Sequence, residues 1–499
     1  MQSHYDHLVV GGGISGMTAA LLMARQGGRV LLLEKSPAIG GSMVRFRLEG
    51  VPFDTGFHFT GGLEPQGLLY DMLKVLGINR EIQPAPFSQE SGARSVVESS
   101  GKHYAFPVDR SGQIRSLKDS FPSECVAIDS YFEKIDAVCA RTSSMDLRRL
   151  GDPMQSVDED FQSLRDVLDG LTQNEELKIL LSGYCLCYGV APSDISFASH
   201  ARMCQGMYDG IVHVEDGGDA FVSALKDALK EAGVEILCNC HVVACEEIAD
   251  KVVGAFRLSS GEQIRFSNAV LSIHPKEILK LLPQENLRKA FINRVNDFKP
   301  SFGFSAVFGI CDDPELLEDC TINFFPSCDM DSLLMPAGAN SDSMLFCISG
   351  KEDVDGKPCR TLTLLEACHP DDMASWVDSS VGKRPPDYVA YKAKKTKRMM
   401  DRVFAQMPQL EGHVRVLGSS SPLTFRDYLH SPDGSAYGVK QKTGQFNLFG
   451  RLPLHNLYAA GQSALLPGVM GAMVSSFIVC RSILDQSEFD ADINRRLDA

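Results

Sequence analysis

The chain has 499 residues, 44% of them hydrophobic and 23% charged, which at roughly 100–200 residues per domain bounds it to an ordinary globular protein of a few folding units. Its formal net charge of -15 excludes a general nucleic-acid binder, which would carry a basic surface. The fifteen cysteines include two C-x-C pairs, Cys185/Cys187 and Cys238/Cys240, but no repeated C-x-x-C, so they read as free thiols of a reducing compartment and no metal site is expected.

The N-terminus, MQSHYDHLVV, lacks the basic region of a secretory signal, and a cytoplasmic location is the default expectation. His7 to Val10 reads as a short buried strand. It enters Gly11-Gly12-Gly13-Ile14-Ser15-Gly16, which fits G-x-G-x-x-G. Met17 to Gln26 reads as a helix of strong helix formers stopped by Gly27-Gly28, and Arg29 to Leu33 as a second strand ending at Glu34. Strand, glycine turn, helix, strand and acid, in that order, form the fingerprint of a dinucleotide site. Gly11 permits the tight turn, Gly13 lets the backbone approach a pyrophosphate, and Gly16 lets helix and strand pack closely. The helix N-terminus, with Ile14 and Ser15 of the turn leading into it, offers free amides and a positive dipole end to the phosphates. Glu34 can accept bonds from both ribose hydroxyls.

Lys35 follows Glu34, and six positions after Glu34 comes a second pair, Gly40-Gly41, followed by Ser42 and then by VPFDTGFHFTGG, in which Asp54, Gly56 and His58 form D-x-G-x-H. The whole segment, VVGGGISGMTAALLMARQGGRVLLLEKSPAIGGS with FDTGFHFTGG, resembles the FAD-dependent phytoene desaturase, carotenoid isomerase and retinol saturase family. The GFHFTGG stretch resembles the retinol saturase and prolycopene isomerase branch most. The resemblance implies FAD lying along the second glycine pair, with the D-x-G-x-H element near the flavin. His58, which can give or take a proton near neutral pH, is the first candidate catalytic residue.

Residues 76–210 lose the sheet pattern and show helical stretches at Val126 to Val138 and Phe161 to Leu171; in the resembled family this region caps the substrate. From Gly217-Gly218 the pattern returns: a helix over Ala220 to Glu231, then strands over Val234 to Cys238, Cys240 to Glu246, Lys251 to Leu258 and Gln263 to Phe266. The resemblance implies a backbone contact of Val242 with the adenine. Ser301 to Ile310, Ser343 to Ser349 and Thr361 to Glu366 read as strands of a second sheet, which in the family floors the substrate cavity. Lys383, Arg384, Lys392, Lys394, Lys395, Lys397, Arg398 and Arg402 crowd the section that follows. This run reads as a solvated helix face, with peripheral contact to an anionic membrane surface as the other reading.

Ser431 to Gln441, SPDGSAYGVKQ, resembles the stretch preceding the flavin helix in the saturase and isomerase branch, which puts Tyr437 near the ring as a second catalytic candidate. Leu457 to Cys480 carries no charge over a length that could span a bilayer. Gly461, Pro467 and Gly468 would interrupt a membrane helix, so the segment reads instead as a strand over Leu457 to Ala460, a turn, and a helix over Ala472 to Leu484. The resemblance implies that Gly461 lies beside the cofactor. The following residue, commonly acidic in the family, is Gln462 here, and its amide can still bond a hydroxyl. The turn at Gly468, Val469 and Met470 would aim helix amides at the flavin.

The expected fold class is α/β: a discontinuous Rossmann-like FAD-binding domain over 1–75, 211–285 and 416–499, and an α+β substrate-binding domain over 76–210 and 286–415. The expected function is an FAD-dependent oxidoreductase acting on C=C bonds of a hydrophobic polyene or isoprenoid such as a carotenoid or retinoid, by desaturation, saturation or isomerisation. No second complete nucleotide fingerprint is visible, so an external electron donor or acceptor is expected. Two alternatives share the fold: a flavin amine oxidase, and a non-enzymatic lipid carrier like the GDP-dissociation inhibitors. The complete glycine set and Glu34 argue against the carrier, which has lost its flavin.

Overall fold

The computed structural model describes residues 4–89, 92–335, 342–354 and 356–499. Two sheets organise it. The first has eight strands, and its centre is parallel: Tyr5–Val10 lies between Gln263–Leu271 and Val30–Leu33, with Glu235–Leu237 beyond and Leu457–Ala459 on the far side of Gln263–Leu271. His7 faces Val30, and Val10 faces both Leu33 and Leu271. Strands covered on both faces read as unbroken apolar runs, which explains VLLL at 30–33, buried throughout. Helix Ile14–Arg25 packs between Gly218–Glu231 and the penultimate helix Gly468–Ile483. Met17, Leu21, Phe221, Leu225, Met473 and Phe477 form the core of that layer.

The second sheet has seven strands in the order Val414–Ser420, Gly303–Cys311, Lys357–Cys368, Leu345–Val354, Thr321–Phe325, Ala93–Val97, Lys102–Phe106. Strand alternation separates its two faces. Phe304, Phe308, Phe346 and Leu365 face the helices Cys125–Arg141 and Phe197–Asp209. Val307, Leu345, Leu362 and Leu364 face helix Pro386–Gln406 through Met399, Met400 and Val403.

Several elements differ from the sequence reading. The region expected to lack strands supplies three: Ala93–Val97 and Lys102–Phe106 at the edge of the second sheet, and Pro84–Pro86, which pairs with Val212–Val214. They are short, and the hairpin of Ala93–Val97 and Lys102–Phe106 joins the second sheet through Thr321–Phe325, more than two hundred residues on and parallel to Ala93–Val97. The helix expected from Phe161 starts at Leu164: Ser163 caps it by accepting the Asp166 amide at 3.0 Å, and Phe161 is exposed. The strand Gln263–Leu271 outruns its expected end by five residues, those that pair with the first strand. The basic run is not a merely solvated face. Lys395, Arg398 and Arg402 all turn inward to the fully buried Glu366, and Arg402 also meets Glu98 at 2.7 Å. Among the described residues no helix is long and apolar enough to cross a membrane, and the uncharged C-terminal stretch is the strand Leu457–Ala459, a turn and the helix Gly468–Ile483. That helix begins four residues earlier than the sequence reading put it, with Pro467 as its N-cap. All fifteen cysteines are free thiols.

Candidate active site

Gly11 to Gly16 join the first strand to the first helix. A Cβ at Gly16 would stand 1.9 Å from the Gly11 carbonyl oxygen, so only glycine lets the helix sit on the turn. Gly13, the N-cap, has ordinary extended backbone (φ -74°, ψ 179°), and no protein atom lies within 4 Å of where its Cβ would be. Its glycine is therefore required by neither conformation nor packing; the turn leaves an open cradle at the uncapped helix start of Ile14 and Ser15. The second glycine pair closes the other side: Gly40 bridges Gly13 and donates its amide to the Gly12 carbonyl at 2.7 Å, and a Cβ on Gly41 would meet the Gly13 Cα at 3.3 Å. Ser42 and Lys35 are exposed nearby in sequence.

Glu34 ends the second strand and is buried. One carboxylate oxygen accepts the Gly12 amide at 2.6 Å, the other the Ser36 amide at 2.7 Å. Each oxygen keeps lone-pair capacity for a further donor. The Glu34 carbonyl accepts the Cys240 amide at 2.8 Å, which brings the start of the strand Val242–Ala249 alongside, two residues before Val242.

The C-terminal segment folds onto this turn. Ser15 Oγ and Ser476 Oγ lie 2.7 Å apart, and Ser476 donates to the Ser15 carbonyl at 2.9 Å. The Gly461 amide donates to Ser475 at 2.8 Å, and a Cβ on Gly461 would reach within 3.8 Å of Ser15 Oγ. Gln462 is half-buried beside Ala436.

Beyond this turn a cavity of ≈ 140 Å³ brings together His58, Tyr437, Gly468, Val469 and Met470. The helix Gly468–Ile483 opens on it without a side-chain cap and with no acid in its first turn, so its free amides and positive end face the space. Phe304, Phe346 and Leu365 of the second sheet form one wall, and Met203, Gly206 and Met207 of a capping helix another. Gly61 makes the seam possible, since a Cβ there would lie 2.1 Å from the Gly206 carbonyl oxygen. Among the described residues the lining holds no Asp, Glu, Lys or Arg.

Burial, then the charges of His213 and Arg45, lower His58 to about 4, so its ring is neutral at pH 7. Among the described residues no hydrogen bond reaches that ring. Tyr437 packs edge-on to Phe304 at 6.2 Å, and burial followed by Cys187 holds its hydroxyl well above the usual phenol range. Sequence reasoning missed Tyr188, which also lines the cavity; its hydroxyl lies 2.7 Å from Nδ1 of the fully buried His200. A capping region over 76–210 and a second-sheet floor are expected from the resemblance, but the individual wall residues Met203, Met207, Phe304, Phe346 and Leu365 carry no motif. The only sequence signal was Gly61, within the quoted FTGG.

A family model described as flavin containing amine oxidoreductase matches residues 14–306. The chain belongs to that family. Among curated proteins it is 27% identical to human all-trans-retinol 13,14-reductase, over 97% of this chain and 86% of the relative. It is 23% identical to chloroplastic prolycopene isomerase of Daucus carota, over 95% and 79%. Among solved structures it is similar in fold to a putrescine oxidase variant, with TM-score 0.66 and 14% identity over 97% of this chain and 99% of the other. Cyclohexylamine oxidase of Brevibacterium oxydans is also similar, with TM-score 0.60 and 16% identity over 99% and 100%. The chain is an FAD-dependent oxidoreductase with a Rossmann-type FAD-binding fold. The open cradle at Gly13, the two free helix starts and the half-committed Glu34 carboxylate fit a dinucleotide with a ring at its far end.

Proposed function

We propose that this enzyme acts on carbon–carbon double bonds of a hydrophobic polyene or isoprenoid, of the carotenoid or retinoid class, by desaturation, saturation or cis–trans isomerisation. The observation that carries the reading is the uncharged cavity between the open helix start at Gly468 and the apolar wall of Phe304, Phe346 and Leu365. A polyene loses nothing polar on entering it. An ammonium substrate would be stripped of water with no carboxylate to receive it, at a cost of several kcal/mol. The names of the human and carrot relatives, a retinol reductase and a prolycopene isomerase, support the same class.

In this reading Gly11, Gly13, Ile14, Ser15, Gly16, Gly40, Gly41 and Ser42 hold the pyrophosphate, Glu34 the ribose with Lys35 beside it, and Val242 the adenine. Gly461, Gln462, Gly468, Val469 and Met470 hold the flavin end. Bound FAD supplies hydride transfer to or from carbon. The chain's own residues exclude water, hold the polyene flat against the ring site and handle the accompanying proton. His58, neutral at pH 7, can take a proton in the desaturation direction and return it in saturation; Tyr437, held protonated, can donate one. Electrons come from or go to an external carrier.

The nucleotide unit comprises 1–75, 211–285 and 416–499, and the capping unit 76–210 and 286–415; the edge strand Val414–Ser420 straddles their last boundary. We also place the protein in the cytoplasm, touching membranes at the outer face of helix Pro386–Gln406. An open groove of ≈ 510 Å³ there combines Val389, Phe404 and Val416 with Lys392 and Lys397.

Anaerobic turnover with oxidised and then reduced flavin on carotenoids, retinoids and unsaturated fatty acids, with products resolved by isomer and mass, tests the function. Conversion of a polyene is expected. Peroxide release from amines with every polyene untouched would overturn it.

A further inference from the structure

His213 lies beneath the His58 segment, in the short strand Val212–Val214. Its Nδ1 is 3.0 Å from the His58 carbonyl oxygen. Its Nε2 is 3.1 Å from Asp319 Oδ1 and 3.0 Å from the Ser349 carbonyl oxygen. All three neighbours are acceptors. A neutral imidazole has one N–H and one lone pair, so it would set a lone pair against an oxygen at one end; the imidazolium donates at both. Asp319 cannot supply the missing hydrogen. Arg360 lies 3.2 Å from its other oxygen, and although burial opposes ionisation, the hydrogen bonds and charges of His213 and Arg360 bring its carboxyl below the ordinary range. The Phe87 ring lies with its centroid 3.9 Å from that of the imidazole, a neighbour that favours a cation.

The three acceptors belong to different parts of the fold. His58 is on the segment that runs from the second glycine pair to the cavity, whereas Asp319 and Ser349 are on the second sheet and its approach. Thr60 and Val212 exchange both backbone bonds, at 3.0 and 2.9 Å, so the segment and the His213 strand already run side by side.

We propose that His213 is the positioning residue of this site: doubly protonated, it ties the His58 carbonyl to Asp319 and Ser349 and so holds the His58 ring in the cavity. This deepens the proposed function and rests on its choice of His58 as the proton-handling ring. The charged groups around the pair are Asp319 and Arg360 on the sheet side, and Arg45, Asp54 and Glu352 on the side of the hairpin that leads to His58. Burial is the largest cause that keeps His58 unprotonated, and the His213 cation, with Arg45, adds to it. Its removal therefore both loosens the ring and lets it bind a proton at higher pH.

Two measurements test this. Nitrogen-15 NMR of histidine-labelled, FAD-loaded full-length protein reads the ring directly, with the signal assigned through its contact with the Phe87 ring, which needs no variant. Hydrogens on both His213 nitrogens at neutral pH are expected, and a ring with one hydrogen overturns the proposal. In His213→Gln with full flavin absorbance, kcat should fall by about 10- to 100-fold at little-changed KM, and the acid limb of the pH profile should move up from about 4. A variant with wild-type kcat and an unmoved acid limb overturns it equally. The NMR measurement involves no substrate, so its result stands whether or not the enzyme turns over a polyene.

Discussion

The two ends of the cofactor's path are built from different materials. At the nucleotide end the chain offers main chain: amides of the Gly11–Gly16 turn, a carboxylate already anchored by two amides, and glycines that leave or close space to within a few tenths of an ångström. At the ring end it offers side chains drawn from the second sheet, a capping helix and the loops between, and their common property is the absence of charge. Main-chain recognition admits few sequences, whereas an apolar wall admits many. The first region should therefore answer substitution abruptly and the second by degrees.

Gly16→Ala is the sharpest way to break that contrast. The new methyl would overlap the Gly11 carbonyl at 1.9 Å, and we expect a loss of more than about 3 kcal/mol of stability, seen as thermal unfolding far below wild type and no bound flavin. Next come the consequences of the neutral His58. Its folded value, about 4, lies below the value near 6.5 of an unfolded histidine. Between those two pH values the unfolded chain binds a proton that the folded chain refuses, so stability falls as pH drops, by up to about 3 kcal/mol. His200, lowered to about 3 by burial, adds in the same direction. His58→Asn should flatten the urea-midpoint profile from about pH 6.5 down to 4. The same variant should lose roughly 100-fold in kcat while keeping its flavin absorbance. Gly13→Ala should show the smallest effect and sharpen the comparison most. It meets no protein atom, so unfolding should move by no more than about 0.5 kcal/mol. FAD affinity measured by fluorescence titration should nonetheless weaken by about tenfold, or 1.4 kcal/mol. Equal damage to folding and affinity would refute the reading of Gly13 as cradle.

What the sequence displayed follows the same division. The Gly11–Gly16 turn, Glu34 and the Gly40-Gly41 pair are local, each pinned to its neighbours by spacing, and the structure assembles them directly. His58 and Tyr437 were singled out by resemblance, and they do share a cavity. The strands of the opposite wall are legible in the sequence, but which of their residues face the cavity is not. Phe304, Phe346 and Leu365 look like any strand residues until a seven-stranded sheet fixes which face each takes. The strand Ala93–Val97 escaped notice because it and its hairpin partner Lys102–Phe106 are five residues each and join a sheet only through Thr321–Phe325, more than two hundred residues later. The basic run misled because a solvated helix and one gripping a buried glutamate have the same composition; only the position of Glu366 on the neighbouring strand tells them apart.

The bond between Ser15 and Ser476 joins residues 461 positions apart. A growing polypeptide emerges from the ribosome with its glycine turn more than four hundred residues ahead of that partner. Until then the first helix has no lid on one flank, and the helix whose amides would face the ring is still inside the exit tunnel. Flavin capture consequently waits for that later segment, and a chain broken off anywhere before Ser476 would forfeit the cofactor along with it.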